Sequence, residues 1–366
     1  MSVALKIALA EAKYIGPIHA RYLLEELGNV EAIFSSEAEL KRRLPRLSRR
    51  ILSSLFSSEL HHRAQEIARW SEQRGLRCLF VEDEGYPQLL RECPDAPVML
   101  YASGDYDFNA SELHLSVVGT RNITPHGQSA LDRLLEEIYS LTPRMPIYSG
   151  LAYGVDVAAH RKALALSMPT VAVLAHGLDR IYPSVHAQTA QEIVQRGGAL
   201  LCEYPPGTRP DRFNFVARNR IIAGLSQASL IIEAGSKSGS LITAELAASY
   251  DREVLAVPGR IQDTYSRGCN ELIASMKGVL VQSGQDILSR MGWKQEGNAL
   301  LQELAFAPPQ TIDQPLLRLI AELQPAHIND LIRRSGMDMR KISAELFELE
   351  LEGHIRSLPG SLYALV

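Results

Sequence analysis

Four stretches in the middle of the chain set hydroxyl or cationic side chains beside glycine, each just after a short apolar run. The first is Ser116-Val117-Val118-Gly119-Thr120-Arg121-Asn122-Ile123-Thr124-Pro125-His126-Gly127-Gln128. It predicts a strand that turns into a helix with Thr124 as N-cap and Pro125 in the first position. Unpaired N–H groups at a helix start favour an anion, and the planar fork of Arg121 suits phosphate. Gly119, Thr120 and Arg121 are therefore candidate phosphate contacts. The second stretch, Ile147-Tyr148-Ser149-Gly150-Leu151-Ala152-Tyr153-Gly154-Val155-Asp156, repeats this logic with Ser149, Gly150 and Gly154. Its GxAxG order is not the dinucleotide fingerprint, and no acidic residue ends a strand about twenty residues later, which disfavours a nicotinamide cofactor. Asp156 and His160 stand at i and i+4, a spacing that suits a structural hydrogen bond between them better than a metal site.

The third stretch runs from Pro205 to Arg220 and holds Arg209, Arg212, Arg218 and Arg220 against the single acid Asp211. Phe213, Phe215 and Asn219 lie among them. Guanidiniums interleaved with rings are the chemistry of single-stranded nucleic acid, where cations take phosphates and aromatics stack on bases. The fourth, Glu233-Ala234-Gly235-Ser236-Lys237-Ser238-Gly239-Ser240-Leu241-Ile242-Thr243-Ala244-Glu245, is again a strand end, a polar loop and a helix start. Lys237, Ser238, Gly239 and Ser240 could hold phosphate, but Lys237 precedes the second glycine, so the Walker order is absent and ATP hydrolysis is poorly supported. Several phosphate-type loops along one sheet edge fit a polyanion better than one nucleotide.

These loops need a scaffold that brings them to one edge. Apolar runs at Leu115–Val118, Ile147–Ser149, Thr170–Leu174, Ala199–Cys202, Ser229–Ile232, Val254–Val257 and Val279–Val281 alternate with amphipathic stretches. That rhythm predicts an α/β fold with an extended Rossmann-like, mainly parallel sheet over residues 76–290, whose ligands sit at the carboxyl ends of the strands. Residues 1–75 read as an all-α domain. Ala20, Leu23, Leu24 and Leu27 mark one helix ending at Gly28, and Leu60, Ala64, Ile67 and Ala68 mark another. Between them, residues 41–50 carry six Lys and Arg. Pro308, Pro309 and Pro315 mark a linker over 291–315, and residues 316–366 read helix, helix, helix, hairpin, the order of a winged helix.

Bulk properties set the limits. The 366 residues are 46% apolar and 22% charged, a soluble composition long enough for two or three domains. The net charge of −4 would by itself argue against nucleic acid. Residues 1–75 carry +3, residues 308–366 carry −2, and the segment with the four loops carries −5. Any binding must then come from local placement of arginines. Cys78, Cys93, Cys202 and Cys269 form no CxxC pair, which points away from a zinc site or disulfide framework and towards a reduced, cytoplasmic compartment. No apolar run reaches the length of a membrane span.

VGTRNITPHG, SGLAYGVDVAAH, GLDRIYP, EYPPGTRP, FVARNRIIAGLS, EAGSKSGSLITAELA, AVPGR and GCNELI, in this order and spacing over residues 80–290, resemble the DNA-processing protein DprA (Smf) family. The weaker Tyr86-Pro87-Gln88-Leu89-Leu90 and Pro97-Val98-Met99-Leu100-Tyr101 fit as well. The resemblance implies an extended Rossmann domain that binds single-stranded DNA without nucleotide chemistry or a cofactor. It implies a homodimer that helps load the RecA recombinase onto DNA coated with single-strand binding protein during natural transformation. Arg121 would be the phosphate-contacting arginine, with Ser149-Gly150, Arg218-Asn219-Arg220 and Ser238-Gly239-Ser240 in the same groove. Many relatives carry lysine or asparagine soon after the Tyr-Pro pair; here the chain reads Tyr182-Pro183-Ser184-Val185-His186, with Arg180 as the substitute cation. The family layout places the dimer surface near the apolar edge at Leu272–Leu280.

The end domains depart from simple expectation. Ile15-Gly16-Pro17 with Ala20, Leu23 and Leu24 resembles half of a helix-hairpin-helix, giving a SAM/helix-hairpin-helix-like domain. Tyr14 stands where the hairpin's first glycine belongs, so packing is the expected role. The C-terminal helix ending in Glu345, Glu348, Glu350 and Glu352 would be repelled by phosphate, which favours a protein contact or a structural role. Two other functions compete. Gly235–Glu245 loosely resembles the loop of nucleotide phosphoribohydrolases with Glu245 as the acid, and a scaffold whose main partner is protein would use the same surfaces differently.

Overall fold

In the computed structural model, residues 2–294, 315–323, 325–351, 354–358 and 362–365 are described. They form two compact units, one containing the residues up to 294 and the other those from 315. Most of the 291–315 linker, Glu352 and the Pro359-Gly360 turn lie outside the described residues.

The first unit begins with six helices, α1 (Ser2–Glu11), α2 (Pro17–Leu27), α3 (Val30–Ile33), α4 (Glu37–Arg43), α5 (Arg49–Leu55) and α6 (Ser58–Gln73). Asn29, Ser36 and Ser48 each cap a helix by accepting a backbone N–H three residues on, and Gly28 closes α2 with φ +88°. Nine strands then make one sheet: β1 (Arg77–Phe80), β2 (Met99–Ser103), β3 (Leu115–Val118), β4 (Ile147–Ser149), β5 (Thr170–Val173), β6 (Ala199–Cys202), β7 (Ala228–Ile231), β8 (Glu253–Ala256) and β9 (Val279–Leu280). Their order is β1-β2-β6-β5-β4-β3-β7-β8-β9. From β6 to β9 all pairs are parallel, while β1–β2 and β2–β6 are antiparallel. The seven parallel strands match the seven expected, with β7 and β8 each starting one residue earlier. β1 and β2 extend the sheet beyond that expectation, because no amphipathic helix follows β2 to give it the βαβ rhythm.

The connecting helices are α7 (Gln88–Arg91), α8 (Pro125–Leu141), α9 (Val155–Ala165), α10 (Ala187–Gln195), α11 (Arg212–Gly224), α12 (Gly239–Ser249), α13 (Arg267–Ala274) and α14 (Gly284–Met291). Side chains alternate across the sheet. Leu115 and Val117 pack with Leu131, Leu135 and Ile138 of α8 and Ile287 of α14, whereas Val118 joins the opposite core. That opposite core runs without a break from Ile7 and Leu23 through Leu100 to Ile222 and Ala244. The N-terminal helices are thus built onto the Rossmann-like sheet through one shared core. Neighbours of β3 diverge, with β4 to β6 on one side and β7 to β9 on the other, which opens a crevice at the strands' carboxyl ends.

The second unit holds α15 (Pro315–Leu323), β10 (Ala326–His327), α16 (Ile328–Ser335), α17 (Met339–Leu351), β11 (Ile355–Leu358) and β12 (Leu362–Leu365). β12 lies between β10 and β11, and Leu316, Ile320, Leu331, Ile342 and Leu346 close the core beneath. Three helices and a three-stranded sheet in this order are a winged helix. Among the described residues no helix is long and apolar enough to cross a membrane.

Candidate nucleic-acid interface

The crevice is an open groove of about 840 Å³. Its lining comes from the loops after β3, β4, β5 and β6 and from α11 and α12. Asp211 caps α11 by accepting the Phe213 N–H at 2.8 Å. From there Arg212, Phe215, Val216 and Asn219 recur at i, i+3, i+4 and i+7, so one helical face enters the groove. Ile221 and Ile222 are buried in the core, while Arg218, also buried, reaches the groove from beneath. Ser238 caps α12 beside it, and Asn219 Nδ2 donates to Gly239 O at 3.4 Å, tying the two helix starts together.

Of the candidate contacts, Gly119, Arg121, Arg180, Arg209, Arg212, Arg218, Asn219, Ser238, Gly239 and Ser240 line the groove. The other six stand behind it or outside it. Thr120 is buried and its N–H donates to Glu233 O at 2.7 Å, fixing the loop that presents Arg121. Ser149 is buried and donates to Val117 O at 2.6 Å. Gly154 has φ +76°, and a β-carbon there would stand 2.2 Å from Thr120 O, so the β3 and β4 loops interlock only with glycine. Gly150 makes room for Arg218. Lys237 is exposed beyond the lining.

Arg220 is a correction to the expected RNR cluster. Each helical residue turns by about 100°, so Arg220, one step past Asn219, is carried off the groove face. It is ion-paired with Glu203 and reaches Asp95 at 3.9 Å.

A second correction concerns the expected anion site at the start of α8. Thr124 caps that helix as expected, accepting the Gly127 N–H at 3.1 Å. The anion is the protein's own Glu233, buried at the end of β7. Its carboxylate accepts from Thr124 N at 2.9 Å and Thr124 Oγ1 at 2.5 Å. A β-carbon at Gly127 would fall 2.4 Å from that carboxyl, so no space remains for phosphate. Asp156 and His160 also part company. Asp156 Oδ2 accepts from Gly150 N at 3.1 Å, and His160 Nδ1 is hydrogen-bonded to Thr170 Oγ1 at 2.7 Å.

Arg218 is the groove's buried cation, with 3% of its surface exposed. Its Nη1 donates to Gly150 O at 2.8 Å and to Val173 O, carbonyls at the ends of β4 and β5. Burial lowers its pKa to about 10, which leaves it charged at neutral pH. Burial raises the Asp156 carboxyl, and Arg218 opposes that shift. Arg180 pairs with Asp179, which also accepts the Gly207 N–H at 2.9 Å. Arg121, Arg209 and Arg212 line the groove without a carboxylate at ion-pair distance among the described residues.

Aromatic rings complete the surface. Phe215 lies 5.4 Å from the Arg121 guanidinium, 5.8 Å from that of Arg218, and 5.8 Å from the Tyr182 ring. Tyr182 is 48% and Phe213 67% exposed, and Arg212 stacks on Phe213 at 4.7 Å. Phe215 is one of the rings that the sequence interleaves with the arginines, whereas Tyr182 was not among the expected contacts and its signal was its place between Arg180 and Pro183. Five arginines against Asp156 and Asp211 make the groove cationic although its segment is acidic overall. Glu245 does not reach it: it lines a separate hollow with Asp251 and Arg252, so it is not placed to act there. Among the described residues no His, Cys, Asp and Glu cluster is placed to hold a metal.

The family model for DNA recombination-mediator protein A matches residues 77–292, and that for the DprA winged helix domain matches residues 299–361. Protein Smf of Escherichia coli is 35% identical over 300 residues, covering 81% of this chain and 79% of the relative. The X-ray structure of DprA from Streptococcus pneumoniae superposes with a TM-score of 0.58 at 32% identity, covering 75% of this chain and 98% of that one. DNA processing protein A from Helicobacter pylori, whose structure was described for its single-stranded DNA binding mode, gives 0.52 at 30% identity over 62% of this chain and 96% of that one. With the matched model spanning the whole sheet that builds the groove, and a second model on the winged helix, the chain belongs to the DNA recombination-mediator protein A (DprA/Smf) family.

Proposed function

We propose that this protein holds single-stranded DNA in the arginine-lined groove, protects it, and helps load RecA onto DNA coated with single-strand binding protein during natural transformation. The groove binds without nucleotide chemistry and needs no cofactor. The observation that carries this reading is the pairing of three uncompensated guanidiniums, Arg121, Arg209 and Arg212, with the Phe215–Tyr182 platform. The guanidiniums follow a phosphate backbone while exposed rings accept bases of any identity. A duplex hides its base faces, so single strands are preferred. The homodimer would use the β9 edge, where Met276 is 92% and Leu280 42% exposed, and the protein acts in the cytoplasm.

The test is a titration of single- and double-stranded DNA across salt. Single-strand binding weakens with a slope of about 0.7 per phosphate contact, and Arg121→Ala removes about one such increment. Phe215→Ala costs about 1–3 kcal/mol of single-strand affinity. Equal affinity for duplex, or unchanged binding by both variants, overturns the assignment.

A further inference from the structure

A second group of uncovered cations lies on the same compact unit, on the N-terminal helices. Lys13, Tyr14, Arg49, Arg50 and Arg63 line a hollow of about 730 Å³ between the α1–α2 turn and helices α5 and α6. Tyr14 takes φ +67° and is 66% exposed, so the turn projects its ring outward. Lys13, Arg49 and Arg50 are exposed and have no carboxylate at ion-pair distance among the described residues. Arg63 reaches Glu11 at 3.5 Å, and Glu59 is the other acid of the hollow.

This hollow is not isolated. Glu59 and Arg63 also line the next one, whose opposite wall is Pro206 and Gly207 and which includes Trp70 and the acid Glu66, 3.6 Å from His62. Gly207 donates its N–H to Asp179, the carboxylate that holds Arg180 in the groove. Arg209, two residues further, lines the groove itself. The two N-terminal hollows share Glu59 and Arg63, and the second meets the groove along the backbone from Gly207 to Arg209.

We infer that a single strand leaving the groove continues over the 206–207 turn and across α6 onto Lys13, Tyr14, Arg49 and Arg50. This rests on the groove reading and extends it. Unpaired cations in the groove and again around Tyr14, at the two ends of that surface, suit a chain of phosphates and bases long enough to reach both; an isolated anion would need only one of them.

The experiment measures binding of the full chain to oligo(dT) from about 6 to about 30 nucleotides at several salt concentrations. For the parent, affinity and salt slope should keep rising beyond the length that fills the groove. The triple variant Lys13→Ala/Arg49→Ala/Arg50→Ala should bind the shortest oligonucleotides like the parent. On the longest it should lose on the order of tenfold in affinity, with a slope shallower by about 2, three phosphates at 0.7 each. Arg49→Glu/Arg50→Glu should show the same length dependence more strongly; all these residues are exposed, and an unchanged melting curve verifies folding. Identical affinity and slope at every length, with either variant, overturn the track and leave the hollow to a protein. Arg121→Ala, run in parallel, should weaken every length. If it stays weakened while the N-terminal variants are inert, only the track fails; if it is inert itself, the groove reading fails.

Discussion

Replacing Gly150 by alanine adds one methyl where the buried charges of the groove meet. The new carbon would stand 2.4 Å from Arg218 Nη2, 2.6 Å from its Cζ and 2.5 Å from Asp156 Oδ2. One of the two side chains must move, and neither is loose. Arg218 is held by Gly150 O and Val173 O, and Asp156 by Gly150 N. Each charge-assisted hydrogen bond lost here costs about 1.5–3 kcal/mol, because no water replaces it. With both sets disturbed the loss is about 3–5 kcal/mol, the scale of breaking a buried charge arrangement. At about 2–4 °C per kcal/mol, the melting temperature falls by about 6–20 °C. Gly239 provides the matched control: it also lines the groove, yet nothing lies within 4 Å of its β-position. Gly239→Ala at the start of α12 should be neutral or gain about 0.4–1 kcal/mol. Thermal melts of the full chain read both, and anisotropy with a short single strand reads the displaced guanidinium as weaker binding by Gly150→Ala. Equal melting curves for the two variants refute the claim that Gly150 exists to pass Arg218.

Arg220→Ala should destabilise by roughly 3 kcal/mol, since it leaves the Glu203 carboxylate, 13% exposed, without its cation. Its single-strand affinity, measured below the transition, should match the parent; a loss of affinity at unchanged stability would return Arg220 to the groove. Acid should also destabilise the fold through buried histidines. Burial pushes His160 down to about 3, and lowers His114 and His176 as well. Their unfolded pKa lies near 6.5, so the unfolded chain binds more protons below that pH. For His160 the contribution is complete above about pH 6.5 and is lost as pH falls towards 3, by up to about 1.4 kcal/mol per pH unit, and His114 and His176 act in the same direction. Urea midpoints at about pH 7 and pH 5.5 should show the fall, and His160→Gln should flatten it; coincident midpoints for the parent speak against neutral buried imidazoles.

The local patterns of this chain carried far. Seven parallel strands, the Thr124 cap with Pro125, the Gly28 helix stop and the helical order of the C-terminal unit all follow from spacing, because each depends on residues within a turn or two. β1 and β2 escaped, since antiparallel pairing of β2 with β6 joins Tyr101 to Cys202 and leaves no local periodicity to read. The site divides along the same line. That arginines and aromatics collect between 209 and 220 is plain from the letters alone. Which of them face outward depends on helical rotation and on what packs behind: Arg218 is wedged between two strand ends, Arg220 is turned to Glu203, and Arg212 stays open. The start of α8 looked like a vacant anion site because its N–H groups are local, while its occupant arrives from β7, more than a hundred residues later, once that strand pairs with β3. Net charge shows the same limit. An acidic segment of −5 carries a cationic groove because folding spends its acids in pairs elsewhere and leaves Arg121, Arg209 and Arg212 uncompensated. Composition sums charges, whereas binding responds to where they stand.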